Sequence, residues 1–238
     1  MKDLFGNALL DYQNGYYTED IITSTSISDD DALPLPYLFR SFKDMPKLEQ
    51  KALNLCKGNV LDVGCGAGSH SLYLQEKKIQ VKAIDISKGA IKVAKQRGVL
   101  HADVLNVLDE TETFDTLLLL MNGTGIFQEL LQVSKYLAHL KKLLKPNGQV
   151  LIDSSDIKYM FEDEDGGFWQ DTNAGYYGEL DYFLSYKGEK ETPMKWLYLD
   201  FKTLKLASET VGFKCDLVLE GEHFDYLARL TPEKAATS

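Results

Sequence analysis

The chain of 238 residues is poor in cysteine, in histidine and in runs of one charge, and each scarcity removes a class of protein. Three cysteines, Cys56, Cys65 and Cys215, with no C-x-x-C spacing do not make a disulfide framework. They read as free thiols of a reducing compartment. The four histidines, His70, His101, His139 and His223, show no ligand spacing with cysteines or acids, so no metal is expected. Lys and Arg number 26 against 36 Asp and Glu, the net charge is -10, and no dense basic run occurs, so nucleic acid is not an expected partner. No apolar stretch approaches membrane-spanning length, and the opening MKDLFGNALLDYQNG lacks the apolar centre of a secretion signal. The expectation is a cytoplasmic protein without a membrane partner, and the formal sequon Asn122-Gly123-Thr124 is discarded on that ground. No G-x-x-x-x-G-K-[ST] is found, which excludes a P-loop.

What is present, from about residue 47, is an alternation of short apolar runs with helical patterns. Val60–Asp62, Val81–Ile84, Val99–Ala102, Thr116–Met121 and Val150–Asp153 are predicted strands. Ser69–Glu76, Gly89–Arg97 behind a Ser87 cap, and Phe127–Leu144 are predicted helices, and Pro146-Asn147-Gly148 is a predicted turn. Strands spaced by helices imply an α/β fold, a doubly wound and mostly parallel sheet with helices on both faces. Tyr182–Tyr186 and Trp196–Leu199 read as an antiparallel pair. Leu204–Val211 reads as a helix ending at Gly212, and Cys215–Leu219 with Phe224–Leu230 as a closing hairpin. Two segments break the alternation: residues 1–45, read as an N-terminal cap, and a lid-like insertion at about 156–186 within the domain 46–238. Their aromatics, among them Tyr12, Tyr16, Tyr17, Tyr37, Phe39, Tyr159, Phe168, Trp169, Tyr176 and Tyr177, would cover the carboxyl ends of the strands. The run Glu162-Asp163-Glu164-Asp165 is a solvated loop or an attractor of cationic amines.

The most informative stretch is VLDVGCGAGSHSLYL, beginning at Val60. Gly64, Gly66 and Gly68 allow a sharp turn and close approach of a ligand to the backbone, and the helix that follows aims its free N–H groups at the turn. Asp85 ends the next strand, 21 positions beyond Gly64, where a carboxylate accepts from both hydroxyls of a ribose. The dinucleotide form G-x-G-x-x-G fails, because its third position is Ser69. Asp62, just before the glycines, adds negative charge where a pyrophosphate would be repelled, and it suits a cationic or zwitterionic ligand.

VLDVGCGAG resembles the first motif of class I S-adenosylmethionine-dependent methyltransferases. Ala83-Ile84-Asp85-Ile86-Ser87, Ala102-Asp103, Phe114-Asp115 and Leu143 to Val150 resemble their later motifs, in the same order and spacing. The resemblance covers most of the chain. It implies a Rossmann-like sheet of seven strands with an antiparallel C-terminal strand, S-adenosyl-L-methionine as cofactor and S-adenosyl-L-homocysteine as product. It further implies that Gly64 and Gly66 lie against the methionine part, with Asp62 toward the ammonium group. Asp85 would hold the ribose and Asp103 the adenine amino group, Ile86 and Val104 would flank the ring, and Met121 and Asn122 would face the transferring methyl. Some members carry an arginine for the cofactor carboxylate at an offset like that of Arg40, 22 positions before Asp62. A sulfonium methyl is already activated, so alignment and exclusion of water are the main tasks, and a base is optional. His70 and Asn122 are the candidates for a catalytic role. The place where amino-methylating nucleic-acid enzymes carry [DNS]-P-P-[YFW] reads Met121-Asn122-Gly123-Thr124, so the expected acceptor is an O or N atom of a small molecule. The alternatives are a non-catalytic binder of the cofactor and a nicotinamide-dependent oxidoreductase.

Overall fold

The run TLLLLM carries a strand, Phe114–Leu119, buried on both sides: Leu117 and Leu119 enter one hydrophobic cluster, and Leu118, with Leu120 just beyond the strand, the other. Period-2 alternation of side chains therefore places the same strand between two layers of helices. The computed structural model that shows this describes residues 2–161 and 175–233. Glu162–Asp165, Phe168 and Trp169 lie outside the described residues.

The first third of the chain forms α1 (Leu4–Gln13), β1 (Ile21–Thr25), β2 (Ser28–Leu33), α2 (Leu35–Leu38), α3 (Lys47–Leu55) and β3 (Asn59–Val63). There follow α4 (Ser69–Glu76), β4 (Gln80–Asp85), α5 (Lys88–Arg97), β5 (Ala102–Val104), β6 (Phe114–Leu119), α6 (Val133–Lys142) and β7 (Leu144–Ser155). The last part contributes β8 (Glu179–Tyr186), β9 (Glu189–Lys190), β10 (Met194–Leu197), α7 (Phe201–Thr210), β11 (Phe213–Glu220) and β12 (Asp225–Pro232).

Seven of these strands make one sheet in the order β11-β12-β7-β6-β3-β4-β5. The pairs from β5 to β7 are parallel, and β12 lies antiparallel between β7 and β11. This is the Rossmann-like seven-stranded architecture expected. Helices α6 and α7 pack on one face through Leu137, Leu140 and Leu204, and α3 and α4 on the other through Leu48, Ala52, Leu53 and Leu74. The order reverses beside β3, so the loop that follows β3 opens at the switch point of the sheet.

Three local expectations need correction. The third strand is Ala102–Val104, not Val99–Ala102, because Val99 belongs to the end of α5. Gly98 adopts φ 105°, the Val99 amide donates to Ala94 O at 3.0 Å, and the Val99 side chain is buried there. That closure also leaves Leu100 exposed. The helix predicted over Phe127–Leu144 begins only at Val133. Two 3₁₀ turns, Gly123–Phe127 and Leu130–Gln132, precede it, separated by Gln128 at φ 69°, and the Leu130 amide donates to Glu179. Pro146-Asn147-Gly148 is an irregularity inside β7, with Asn147 at φ 63° and a shift of register against β6.

The remaining strands form a second, antiparallel sheet in the order β10-β8-β1-β2, with β9 on β8. The pair β8–β10 agrees with the sequence; the hairpin β1–β2 is an addition to it. β2 reads SDDDAL and is almost wholly exposed. It is an edge strand whose aspartates discourage further pairing, and it carries no apolar alternation from which a strand could be read. The N-terminal helix α1 crosses α5 so closely that a Cβ on Gly89 would sit 2.5 Å from the Gly6 backbone. Asp3 ties the two helices, accepting from Gly6 N at 3.2 Å and from Gly89 N at 2.9 Å.

Candidate active site

The turn after β3 is clasped to the end of β4, since Gly64 N and Cys65 N both donate to Ile84 O, at 2.8 and 3.1 Å. Gly64, Gly66 and Gly68 all have positive φ, from 51° to 82°, but they serve different ends. A Cβ on Gly68 would press on Val99 at 2.8 Å, so that glycine serves the packing of α5 against the loop. At Gly64 and Gly66 the nearest neighbours of a Cβ are Ile126 and Phe5 side chains at 3.4 and 3.8 Å, so these two leave the backbone approachable. Asp85 spans the loop: Oδ2 accepts from Gly66 N at 3.0 Å and Oδ1 from Ser87 N at 2.8 Å. Burial raises its pKa against those bonds. Asp62 lies beneath the loop, buried, with Ser71 Oγ donating at 2.6 Å, and burial raises its pKa also.

Beyond Asp85 the surface turns apolar. Ile86 and Val104 are exposed large hydrophobics at the ends of adjacent strands, where Asp85 pairs with Val104. Asp103 is exposed beside them. Exposed aliphatic side chains with a neighbouring carboxylate make a platform for a flat, amine-bearing ring.

At the end of β6, Met121 and Asn122 both adopt the left-handed conformation, at φ 66° and 61°. For side chains other than glycine that conformation costs energy and is held by its surroundings. Two sets of bonds hold it here. Asp153, in β7, accepts from Met121 N at 3.0 Å and from Gly123 N at 2.8 Å, one on each oxygen. The Asn122 side chain turns the other way, to Leu197 O at 3.2 Å in β10 and to Ser154 Oγ at 3.0 Å, and Thr124 Oγ1 also reaches Leu197 O. The Asn122 amide thus ties the loop to the second sheet. Asp153 is 9% exposed, and burial pushes its pKa up to about 6, offset in part by the backbone donors.

Arg40 and His70 meet through a residue that the sequence did not single out. Glu49 of α3 accepts from Arg40 on one oxygen and faces His70 Nε2 at 2.8 Å on the other. Arg40 also donates to Tyr37 O at 2.5 Å and stacks 3.8 Å from the centre of the Tyr37 ring. Its Nε is buried without a partner among the described residues. Burial of Glu49 acts to raise its pKa, but the His70 bond and charge, and then Arg40, outweigh it and hold the carboxyl low. Tyr37, Glu49, Met121, Asp153 and Asp225 line a cavity of about 290 Å³ at the carboxyl ends of β6 and β7. A second hollow, of about 320 Å³, lies between α1 and the β8–β9 turn.

The structure therefore places Asp62, the glycines, Asp85, Ile86 and Val104 at the carboxyl ends of β3, β4 and β5, with Met121 after β6. It places Arg40 and His70 in a buried ion network and directs the Asn122 side chain into the protein. Asp153 carried a signal in the sequence, an acid closing an apolar strand as Asp62 and Asp85 do. Tyr37 was among the aromatics expected over the strand ends, whereas Glu49 carried no signal. Among the described residues no group of three or more His, Cys, Asp or Glu could hold a metal, and no helix is long and apolar enough to cross a membrane.

Residues 60–148 match the model of a methyltransferase domain. A solved S-adenosylmethionine-dependent methyltransferase from Bacteroides fragilis, in complex with S-adenosyl-L-homocysteine, is 44% identical, with a TM-score of 0.92 over 98% of this chain and 96% of that one. The chain belongs to the class I S-adenosylmethionine-dependent methyltransferases. S-adenosylmethionine is accordingly the cofactor of this methyltransferase. Among curated relatives, the malonyl-[acyl-carrier protein] O-methyltransferase of Serratia marcescens is 25% identical over 164 residues, 64% of this chain and 63% of that protein. The ubiquinone biosynthesis O-methyltransferase of Rickettsia conorii is 27% identical over 115 residues, 45% of this chain and 38% of that protein. The methyltransferase thus matches less than two thirds of the length of these curated relatives.

Proposed function

We propose that the methyltransferase transfers the methyl group of S-adenosylmethionine to an oxygen or nitrogen atom of a small molecule held in the cavity beside Met121. The observation that supports this reading is the cavity lined by Met121 at the ends of β6 and β7, in a chain of the methyltransferase family. The bound cofactor supplies an activated sulfonium methyl, and the chain supplies position and exclusion of water. Gly64 and Gly66 receive the methionine part, and Asp62 stabilises its ammonium end through the loop. Asp85 accepts from the ribose hydroxyls, Asp103 from the adenine amino group, and Ile86 and Val104 hold the ring between them. Arg40, whose Nε has no partner among the described residues, is the candidate for the cofactor carboxylate. His70 is tied to Glu49 and stands as a positioning residue for that network rather than as a base.

The curated relative named as a ubiquinone biosynthesis O-methyltransferase supports oxygen as one acceptor. The acids Glu49, Asp153 and Asp225 in the cavity wall favour a neutral or cationic acceptor over a carboxylate, which like charge would repel. Nicotinamide chemistry has no support from the family. Calorimetry with S-adenosyl-L-homocysteine tests the cofactor assignments. The wild type should bind, and Asp85→Ala should bind about 10- to 100-fold more weakly, the worth of charge-assisted bonds to two hydroxyls. Equal affinities would remove the ribose assignment. A panel of amines, alcohols and carboxylates supplied with labelled cofactor tests the acceptor class, and transfer confined to carboxylates would refute it.

A further inference from the structure

We infer that Asp153 is a positioning residue for methyl transfer, whose ionised carboxylate holds Met121–Gly123 in the conformation that meets the methyl donor. The inference rests on the reading that this loop faces the cofactor. Its geometric basis is a division of labour within the carboxylate. Oδ2 accepts from Met121 N and Oδ1 from Gly123 N, so each oxygen serves one amide on either side of Asn122. Met121 and Asn122 are the two consecutive residues that stand at positive φ, at 66° and 61°. A carboxylate with both oxygens free to accept can hold both amides. A protonated carboxyl, or an amide side chain, presents a donor to one of them and can hold only one.

From the opposite side Asn122, Thr124 and Ser154 bond one another and Leu197 O of β10. The loop is therefore clamped between β7 and the second sheet, and Asp153 is the ionisable half of the clamp. The groups facing Asp153 are acidic or phenolic: Glu49 from α3, Tyr37 from α2, and Asp225 and Tyr226 from β12. The basic side chains nearby, Arg40 and His70, are both turned to Glu49. Among the described residues it is the loop amides that favour the charge of Asp153, and burial pushes its pKa up to about 6. The sign follows. A folded-state pKa raised above the ordinary 3.8 gives stability that is present below that value and lost as pH rises through about 6. Above pH 6 the protein therefore carries a buried charge at some cost to its stability, and the loop conformation is what that charge maintains.

The experiment compares wild type with Asp153→Asn across pH 5 to 8. Affinity for S-adenosyl-L-homocysteine should fall in the wild type as pH drops through about 6. The variant should be about tenfold weaker at pH 8 and should lack that component of the pH dependence, so that the two converge at pH 5. The unliganded variant should melt no lower than the wild type at pH 8, because the buried charge is gone. A merely structural role would lower melting temperature and affinity together, and that result would overturn the inference. The same pH slope in both proteins would overturn it too. A second measurement needs no variant. In the unliganded wild type the amide protons of Met121 and Gly123 should titrate together with a midpoint near 6, and flat amide shifts would refute the clamp. Failure of the wild type to bind S-adenosyl-L-homocysteine at any pH would overturn both this inference and the function proposed above. Binding without the predicted difference overturns this inference alone.

Discussion

Replacing Glu49 by glutamine tests how the site is held together. The Glu49 side chain is 6% exposed, and its two partners are nearly as deep, Arg40 at 5% and His70 at 10%. Glutamine keeps the volume and an oxygen that accepts from Arg40 but removes the charge. The Arg40 guanidinium then stays buried over the Tyr37 ring with no anion against it. Removing one member of a buried pair costs about 3–5 kcal/mol, most of it the desolvation left uncompensated. That is a large part of the roughly 5–15 kcal/mol that holds a domain folded. The assay is urea unfolding at pH 7, with the midpoint read at constant slope. Arg40→Met added to Glu49→Gln removes the stranded charge, so the double variant should recover part of the loss, with a coupling of about 2 kcal/mol. The pH dependence has a fixed sign. Glu49 is held below its ordinary value of 4.5, so its contribution is present above that pH and disappears as pH falls through the folded-state value. The gap between wild type and Glu49→Gln should accordingly close in acid. A loss under about 1 kcal/mol, additive with Arg40→Met, is what a solvent-screened pair gives, and it would refute the buried-network reading.

Two further perturbations address the way the N-terminal helix and the second sheet seat on the domain. Gly89→Ala should gain about 1 kcal/mol of helix propensity in α5, yet the new Cβ would meet the Gly6 backbone at 2.5 Å. Net loss of about 1–3 kcal/mol and faster proteolysis within α1 are expected, and a more stable variant would show that the helices are not in contact there. Gly125→Ala drives a Cβ into the Trp196 ring and should displace β10 from the loop after β6. A melting temperature equal to that of the wild type would count against the clamp between the loop and the second sheet.

The glycine loop and the strand ends beside it were legible because their signals are local. Positive φ in a tight turn selects Gly64, Gly66 and Gly68, a strand end places Asp62 and Asp85, and period-2 burial marks the TLLLLM strand. Each lies within a few residues of what it explains. The ends of elements were legible less well, since capping at Gly98 drew Val99 into a helix end and Gln128 at positive φ delayed the start of α6.

What the sequence determined by itself is the order of strands and helices in the seven-stranded sheet and the family to which the chain belongs, both written in short-range patterns. Tertiary structure alone decided that β1 pairs with β8 across 1–45 and 179–186, and that Glu49 joins Arg40 to His70. It alone showed that Asp153 holds the backbone of a loop 30 residues upstream. The physical reason is that a buried charge or an edge strand is defined by what comes to lie against it. A carboxylate in a helix looks the same in sequence whether water or a guanidinium faces it.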